Sequence, residues 1–357
     1  MKINGDMVIL AREYLDWTQD QLAEKVGSSQ STIAKIEAGV RHEAPAEFVR
    51  NLATATAFPE KFFLQEGERM GFGSSAFFYR KKATMQASER RRIHSVVNLT
   101  RLAIKQLLPH VEIKAKRELP SIEIEPGGSP ANVARAVRAL WQVPDGPIKN
   151  LTMLLESSGV IVVRCRFNTG AIDATSMRLA DMPPLIFIND AIPGDRWRYT
   201  IAHELAHLVM HWANPHEMME VEADEFAAEF LVPEEEVRPQ FARMRPLRYA
   251  DFLNLKRFWL VSMQMLMRRA KDLGFLSPSQ HRYQIIQMSK SGERMLEPEA
   301  IPLEAPTTLQ KMISAMIDAL GFTRDELAEA VNWGRRELEQ LFYVSGPEQS
   351  KQLRLVR

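Results

Sequence analysis

The sequence has little of several features that mark other classes of protein. It holds one cysteine, Cys165, among 357 residues, which excludes an internal disulfide framework and a cysteine-rich zinc site. It has no run of about 18 apolar residues, so no membrane-spanning helix is predicted. The opening residues, MKINGDMVIL, end in an apolar run of only four residues before Ala11 and predict no signal peptide. We therefore expect a cytoplasmic chain with no membrane partner.

The overall charge is also small, and this hides strong segregation along the chain. The formal net charge is +1, but residues 79–118 and 238–271 each carry +8, whereas residues 215–236 carry −9 and residues 1–66 carry −3. Such blocks are commonly solvated faces, and the basic ones could instead contact nucleic acid or an acidic partner. With 45% hydrophobic and 25% charged residues, the composition excludes a disordered tail or a coiled-coil rod.

Stretches rich in Gly, Pro and Ser divide the chain into four pieces. We expect a helix-turn-helix bundle over 1–66, a linker and basic helical region over 67–129, a domain with a small sheet over 130–240 and a helical C-terminal region over 241–357. The runs GVIVVRCRF and PLIFIND, rich in Val, Ile and Phe, predict strands of that sheet. The predicted fold class is α+β and mainly helical.

The segment LDWTQDQLAEKVGSSQSTIAKIEAG predicts two helices in tandem. Thr18 is placed to cap the first helix and Ser29 to cap the second. Gly27 ends the first helix and permits a tight turn, while Ile33 and Ile36 recur at helical spacing and face inward. The pattern therefore predicts a helix-turn-helix.

Four polar residues remain near the exposed start of its second helix, namely Gln30, Ser31, Thr32 and Lys35. In a DNA-binding helix-turn-helix these positions reach base edges and phosphates. The segment resembles the XRE/phage-repressor helix-turn-helix family over roughly the first 60 residues, through FPEKFF. The domain is net negative and its second helix has no arginine, so protein docking stands as an alternative to DNA contact.

A similar pattern recurs near the C-terminus in LGFTRDELAEAVNWGRRELEQLF, at a constant offset of 305 residues. The seven residues that match the first pair are Leu320, Thr323, Asp325, Leu327, Ala328, Glu329 and Val331. Two interpretations stand side by side. The segment is either a second, degenerate helix-turn-helix or a capped amphipathic helix pair built from common residues.

The segment RYTIAHELAHLVMH contains the motif H-E-x-x-H at His203, Glu204 and His207. Residues four apart share one face of a helix, so both imidazoles can point at one ion. Glu204 lies beside them, where a carboxylate can take a proton from the attacking water. Zn²⁺ suits this ligand type, with Mn²⁺ or Fe²⁺ as alternatives. We expect Thr200 to cap the N-terminus of this helix.

A third ligand must come from elsewhere in the chain. His211 lies eight residues beyond His203, which is about 12 Å along a helix axis and too far for a shared ion. The metzincin spacing would need Gly and His where the chain has Met210 and Ala213. His216 is more typical of a solvated loop.

The acidic segment EVEADEFAAEFLVP offers the better candidate. On a helical wheel, one apolar stripe comprises Ala223, Phe226, Ala227 and Phe230. Glu220 and Asp224 border this stripe, which predicts Glu220 as the third ligand and Asp224 as a partner for a histidine N–H. Glu222 is the alternative ligand, although the wheel places it with Glu225 and Glu229 on a solvated side.

These motifs together resemble the ImmA/IrrE family of zinc-dependent metallopeptidases. The resemblance covers roughly residues 130–290 and rests on GPIKNLTMLLESSGVIVV, RYTIAHELAHLVMH and EVEADEFAAEFLVP. The family's E-x-x-A-N/D element falls on Glu220, Ala223 and Asp224. The resemblance implies a zinc site and gluzincin-like cleavage of an XRE-type repressor, which relieves repression after stress or in mobile elements.

The leading interpretation is a zinc endopeptidase whose helix-turn-helix guides it to a repressor or to DNA, with homodimerisation as an option. A second interpretation is a DNA-binding regulator whose metallopeptidase-like domain senses a ligand or partner without hydrolysis. A third is a component of a toxin–antitoxin pair. Tyr199 and His216 are further candidates for stabilising an oxyanion, because both lie near the motif in sequence.

Overall fold

The computed structural model describes residues 1–70, 85–212, 216–294 and 296–342. The chain folds into many helices and one small mixed sheet, which confirms the predicted mainly helical α+β class. Part of the expected linker, residues 71–84, lies outside the described ranges. Among the helices described, none combines the length and apolar character needed to cross a membrane.

The first domain begins with five helices, and the predicted caps hold its helix-turn-helix together. The helices are α1 (Gly5–Tyr14), α2 (Gln19–Lys25), α3 (Gln30–Glu37), α4 (Ala46–Thr56) and α5 (Glu60–Leu64). The Thr18 hydroxyl accepts from the backbone N–H of Gln21, whose side chain accepts from the N–H of Thr18. Ser29 caps α3, and Gly27 makes the turn with φ of 65°. The expectations for Thr18, Ser29 and Gly27 are therefore confirmed.

The middle of the chain builds the sheet. It contains α6 (Ala87–Leu107), a 3₁₀ turn (Leu108–His110), α7 (Pro130–Leu140), α8 (Leu151–Glu156), β1 (Ile161–Cys165), β2 (Ala174–Leu179) and β3 (Met182–Asn189). The strand order is β1-β3-β2, with β1 parallel and β2 antiparallel to β3. The predicted strands are β1 and β3, whereas β2 was not predicted. This strand is an edge of the sheet.

After the sheet, two helices carry the H-E-x-x-H motif and the acidic segment. They are α9 (Gly194–Ala206), which continues into a π-helical turn (His207–His211), and α10 (Met219–Leu231). The expectation that Thr200 caps the motif helix is wrong. The helix begins six residues earlier, directly after Pro193, and Thr200 is buried inside it.

The described residues that follow, up to residue 342, are mainly helical. Its elements are α11 (Glu234–Arg243), α12 (Tyr249–Trp259), α13 (Met263–Asp272), α14 (Pro278–Lys290), α15 (Thr308–Ser314), a π-helical turn (Ala315–Ala319), α16 (Arg324–Ala330) and α17 (Arg335–Phe342). The irregular segment between α14 and α15, residues 296–307, is called the strap below.

Two apolar cores lie on the two faces of the sheet, because strand side chains alternate between faces. Ile161 and Val163 of β1 face a first core shared with α1–α6 and α15–α17. Val162 faces a second core built largely from α7–α14. Both faces of β1 and β3 are buried, which explains their continuous apolar sequences. The C-terminal helices therefore return to pack with the N-terminal domain.

The strap binds to α9 and α12 through buried ion pairs. Lys256 Nζ lies 2.7 Å from an Asp195 oxygen and 2.9 Å from a Glu297 oxygen. Arg198 forms a second buried pair with Glu304 of the strap. At Gly194 the strap passes so close that a Cβ atom would lie 2.1 Å from the carbonyl oxygen of Ile301. These contacts fix the start of the helix that carries the motif.

Candidate metal centre

His203 lies in the last turn of α9, and His207 opens the π-helical turn that follows. Both side chains are at least 95% buried. Their four-residue spacing places the rings on one face, as the sequence predicted. The two Nε2 atoms lie 3.2 Å apart.

Glu220 approaches this pair from the first turn of α10. The predicted apolar stripe holds α10 in place, since Ala223, Phe226, Ala227 and Phe230 are fully buried. One Glu220 oxygen lies 3.5 Å from His203 Nε2, and the other lies 3.3 Å from His207 Nε2. Helix packing thus brings Glu220 next to two histidines that precede it by at least 13 residues in the sequence.

The spacing of these ligand atoms is close to that around a tetrahedral ion. Ligands about 2.0–2.1 Å from a tetrahedral Zn²⁺ lie about 3.4 Å from one another. The two Nε2 atoms are 3.2 Å apart, and each lies 3.3 or 3.5 Å from a different oxygen of Glu220. Two imidazoles and one carboxylate are also a donor set that zinc accepts, with a fourth position left for water or substrate.

Glu204 is the remaining member of the motif. Its side chain is buried, and its Oε1 atom has no hydrogen-bond partner among the described residues. A buried carboxylate oxygen without a partner is costly, because the group has lost its hydration. The arrangement suits an acceptor for the proton of a bound water.

Asp224 holds the outer side of His203, as predicted for a partner outside the ligand set. Its Oδ1 atom lies 3.1 Å from His203 Nδ1 and accepts a hydrogen bond from the Tyr199 hydroxyl at 2.8 Å. Arg268 donates to the other oxygen at 3.1 Å. Tyr199 therefore points at Asp224, and the suggestion that it stabilises an oxyanion finds no support in this contact.

The charges at the centre shift the pKa values of its groups. Burial lowers the pKa of His203, but the hydrogen bonds that its ring donates to Asp224 and Glu220 outweigh this and raise the pKa to about 9. Burial raises the pKa of Glu220, but hydrogen bonds from His203 and His207 outweigh this and lower it to about 2. Burial also raises the pKa of Asp224, but the hydrogen bond from His203 outweighs this and lowers the pKa to about 2. Glu220 is therefore ionised throughout the neutral range.

His207 has a different outer partner. Its Nδ1 atom lies 3.0 Å from Nδ1 of His211, and His211 Nε2 lies 2.9 Å from a Glu222 oxygen. His216, 45% exposed, approaches the same Glu222 oxygen at 3.4 Å. Glu222, the alternative ligand, thus contacts His211 instead of the His203–His207 pair. This row of contacts from His207 through His211 to Glu222 is called the relay below. The sequence analysis did not predict it, although His211 continues the four-residue histidine spacing.

The wheel also misplaced one acidic residue. Glu229 was expected to be solvated with Glu222 and Glu225, but its side chain is 1% exposed. It forms ion pairs with Arg269 and with Arg135, the latter at 2.8 Å. The prediction for Glu229 is wrong because two arginines from neighbouring helices neutralise it in the interior.

A cleft of about 370 Å³ opens beside His207. One wall is the edge strand β2 at residues 176–179, and the other includes residues 68–70, which follow the first domain. An edge strand offers unpaired backbone groups to an extended peptide. The cleft therefore places His207 beside an edge strand suited to an extended peptide.

The helix-turn-helix exposes most of the predicted contact residues. Gln30, Ser31 and Lys35 are exposed, and Thr32 is half-buried. The Gln30 side chain donates to the Gln19 side chain at 2.7 Å, which ties α3 to α2. The second helix thus presents a polar surface, as the sequence predicted.

Comparison with known families agrees with this architecture. The Peptidase_M78 family model, described as an IrrE N-terminal-like domain, matches residues 155–271. The helix-turn-helix model HTH_3 matches residues 9–62. No curated protein and no solved structure is significantly similar to the chain. The chain thus joins an XRE-type helix-turn-helix domain to an IrrE N-terminal-like peptidase domain, which confirms both resemblances.

These matches define a metallopeptidase-like protein that carries a helix-turn-helix of the DNA-binding type. The peptidase family implies a metal ion. The group formed by His203, His207 and Glu220 offers ligands for it.

Proposed function

We propose that this chain is a zinc-dependent endopeptidase that cleaves a protein substrate, an XRE-type transcriptional repressor. The observation that carries the proposal is the convergence of His203, His207 and Glu220 close to zinc-ligand spacing, together with the buried Glu204 Oε1 atom, which has no hydrogen-bond partner among the described residues. In this proposal the first three residues bind the metal, and Asp224 orients His203. Mn²⁺ or Fe²⁺ would fit the same ligands.

The chain's own groups account for hydrolysis. A Zn²⁺ held by His203, His207 and Glu220 would supply one effect, a lowering of the pKa of an attached water towards about 7. Glu204 accepts one proton from the attacking water, whose oxygen bonds to the scissile carbonyl carbon. When the C–N bond breaks, Glu204 returns that proton to the leaving amine. Strand β2 holds the substrate backbone beside His207 during these steps.

The proposal also assigns roles to the rest of the chain. Residues 1–66 bring the peptidase to a repressor or to DNA, with α3 contacting DNA through Gln30, Ser31, Thr32 and Lys35. Residues 67–129 connect this domain to the peptidase domain at 130–240, and 241–357 complete the fold. We place the protein in the cytoplasm and include a homodimer on DNA among the expected assemblies.

One observation favours a second candidate function, a regulator that senses a ligand without hydrolysis. A cavity of about 670 Å³ lies behind the metal centre and is lined by Tyr199, Asp224 and Arg268. A ligand that drew Arg268 away from Asp224 would change the partner of His203. The two candidates differ in whether peptide bonds are broken.

The experiment compares zinc-loaded wild-type protein with Glu204→Gln and with the matched control Glu235→Gln, which changes an exposed carboxylate on α11. Each is incubated with the XRE-type repressor encoded nearest to its gene, and products are identified by intact mass. Wild type and control are expected to cleave, and Glu204→Gln is expected to keep the metal and lose cleavage. Equal cleavage by all three would remove Glu204 as the base, and no cleavage by the wild type would favour the regulator.

A further inference from the structure

The C-terminal helices α16 and α17 reproduce the geometry of α2 and α3. The Thr323 hydroxyl accepts from the N–H of Glu326, whose carboxylate accepts from the N–H of Thr323. This capping box is the one that Thr18 and Gln21 form at the start of α2. Helices α2 and α16 have seven residues each, and α3 and α17 have eight.

The turns between the two helices also agree. Asn332 has φ of 55° where Gly27 has 65°. Its N–H bonds to the carbonyl of Glu329 at 3.1 Å, and Gly27 bonds to Glu24 at 3.2 Å. The next N–H along each chain also bonds alike. Trp333 donates to the carbonyl of Ala328 at 2.8 Å, and Ser28 donates to the carbonyl of Ala23 at 2.9 Å. The same two bonds also end other helices, for example at Gly39 with Val40 and at Gly274 with Phe275. The second helix-turn-helix is therefore favoured by the cap, the turn and the buried positions together, because all three recur at one constant offset.

The buried positions correspond throughout the two units. Leu22, Ala23, Val26, Ile33 and Ile36 of the first unit are buried, and so are their counterparts Leu327, Ala328, Val331, Leu338 and Leu341. Three positions are buried only in the second unit, where Trp333, Glu337 and Phe342 replace the half-buried Ser28, Thr32 and Glu37. The helix-turn-helix model matches only the N-terminal unit, at residues 9–62.

The exposed positions correspond too, but their chemistry changes. Arg335 and Arg336 occupy the places of Gln30 and Ser31, and all four are exposed. Arginine binds phosphate and the guanine edge with a fork of donors, and phosphate contacts supply most of the affinity for duplex DNA. Helix α17 thus begins with two positive charges where α3 begins with none, while the whole unit, residues 323–342, holds three arginines and five acidic residues.

The second unit is packed firmly on the first domain. The Asn332 side chain donates to Gln65 at 2.8 Å. A Cβ atom at residue 334 would lie 2.7 Å from the carbonyl oxygen of Ala57, so this close approach requires Gly334. The two units share one apolar core. Both are therefore presented together, with no flexible joint between their described parts.

We propose that α16 and α17 form a second helix-turn-helix that binds duplex DNA, with Arg335 and Arg336 contacting phosphates. Arg335 now pairs with Glu339 at 3.1 Å and lies 3.5 Å from an Asp325 oxygen, and it exchanges these exposed contacts for phosphate on binding. The proposal does not depend on hydrolysis at the metal centre, so either can fail alone.

The test measures binding of the full chain to a fluorescent mixed-sequence duplex of forty base pairs by anisotropy over a salt series. The double variant Arg335→Ala/Arg336→Ala removes two charges from α17. The matched control Arg243→Ala/Arg282→Ala removes two exposed arginines from α11 and α14. We expect the first variant to bind about ten-fold more weakly and to lower the slope of log affinity against log salt by about 2. The control should stay within about two-fold of the wild type, because its arginines lie outside the proposed surface.

Two further measurements complete the design. Thermal unfolding monitors the fold, and Arg335→Lys/Arg336→Lys, which keeps both charges, should restore most of the affinity. Equal DNA affinity of the alanine variant and the control would overturn the proposal, as would a wild type that binds no duplex at low salt. Unchanged DNA binding with lost binding to a purified XRE-type repressor would assign the surface to protein instead.

Discussion

The Nδ1 atoms of His207 and His211 lie 3.0 Å apart, so one of them carries a proton and the other accepts it. When His207 presents its Nε2 lone pair to a metal, its proton resides on Nδ1. His211 must then accept at Nδ1 and donate from Nε2 to Glu222, 2.9 Å away. Glu222 therefore orients His207 through His211, in the way that Asp224 orients His203 directly.

This relay predicts that Glu222→Gln weakens metal binding. The loss of the carboxylate removes the charge that favours a donating Nε2 on His211, and such outer partners typically contribute 10–100-fold to affinity. We expect about a ten-fold increase in the zinc dissociation constant, measured by competition with a chelator. Glu225→Gln, an exposed change on the same helix, is the control. Equal dissociation constants for the two variants would remove the relay.

The proton on His211 Nε2 also limits the number of metal ions that the chain can bind. His211, His216 and Glu222 place three ligand atoms within 4.8 Å of one another. His211 keeps the proton on Nε2 while His207 binds metal, which denies that lone pair to a second ion. We therefore predict one tightly bound zinc per chain by elemental analysis after dialysis against excess metal. A stoichiometry of two would contradict the proposed tautomers.

The raised pKa of His203, about 9, predicts that zinc affinity depends on pH. Below pH 9 the protonated imidazole must lose its proton before it can bind metal, so binding releases a proton. Apparent affinity should then rise by up to ten-fold per pH unit between 7 and 9 and level off above that. Calorimetry in two buffers of different ionisation enthalpy measures the released proton. An affinity that stays constant from pH 7 to 9 would contradict this prediction.

Gly194 predicts a stability effect far from the chemistry. A Cβ atom there would lie 2.1 Å from Ile301 O and 2.9 Å from Pro302 O, so Gly194→Ala must displace the strap. We expect a loss of about 1–3 kcal/mol in the free energy of unfolding. Gly170→Ala is the matched control, since nothing lies within 4 Å of a Cβ at that position. If both variants unfold at the same denaturant concentration, the strap is not a fixed part of the fold.

Local patterns in the sequence predicted the features that depend on one segment. Thr18 and Ser29 cap their helices as expected, and β1 and β3 coincide with apolar runs. The side of α10 that holds Glu220 and Asp224 also followed from helical spacing alone. These features were accessible because a cap, a strand or a helix face depends on residues close in sequence.

Features that depend on distant segments were not accessible. Strand β2 has a weak apolar pattern and exists through its pairing with β3. Thr200 has a side chain that can cap a helix, but the helix already begins at Gly194, where the strap packs against it. The burial of Glu229 needs Arg135 and Arg269 from other helices. In each case tertiary contacts override the local preference.

The most direct test of the account is the position of the metal itself. Crystals of zinc-loaded protein, measured on both sides of the zinc absorption edge, give an anomalous map that locates the ion without assumptions. The account predicts one peak, about 2.0–2.2 Å from His203 Nε2, His207 Nε2 and a Glu220 oxygen. A peak at His211, His216 and Glu222, or zinc-loaded crystals with no peak between the first three residues, would contradict it.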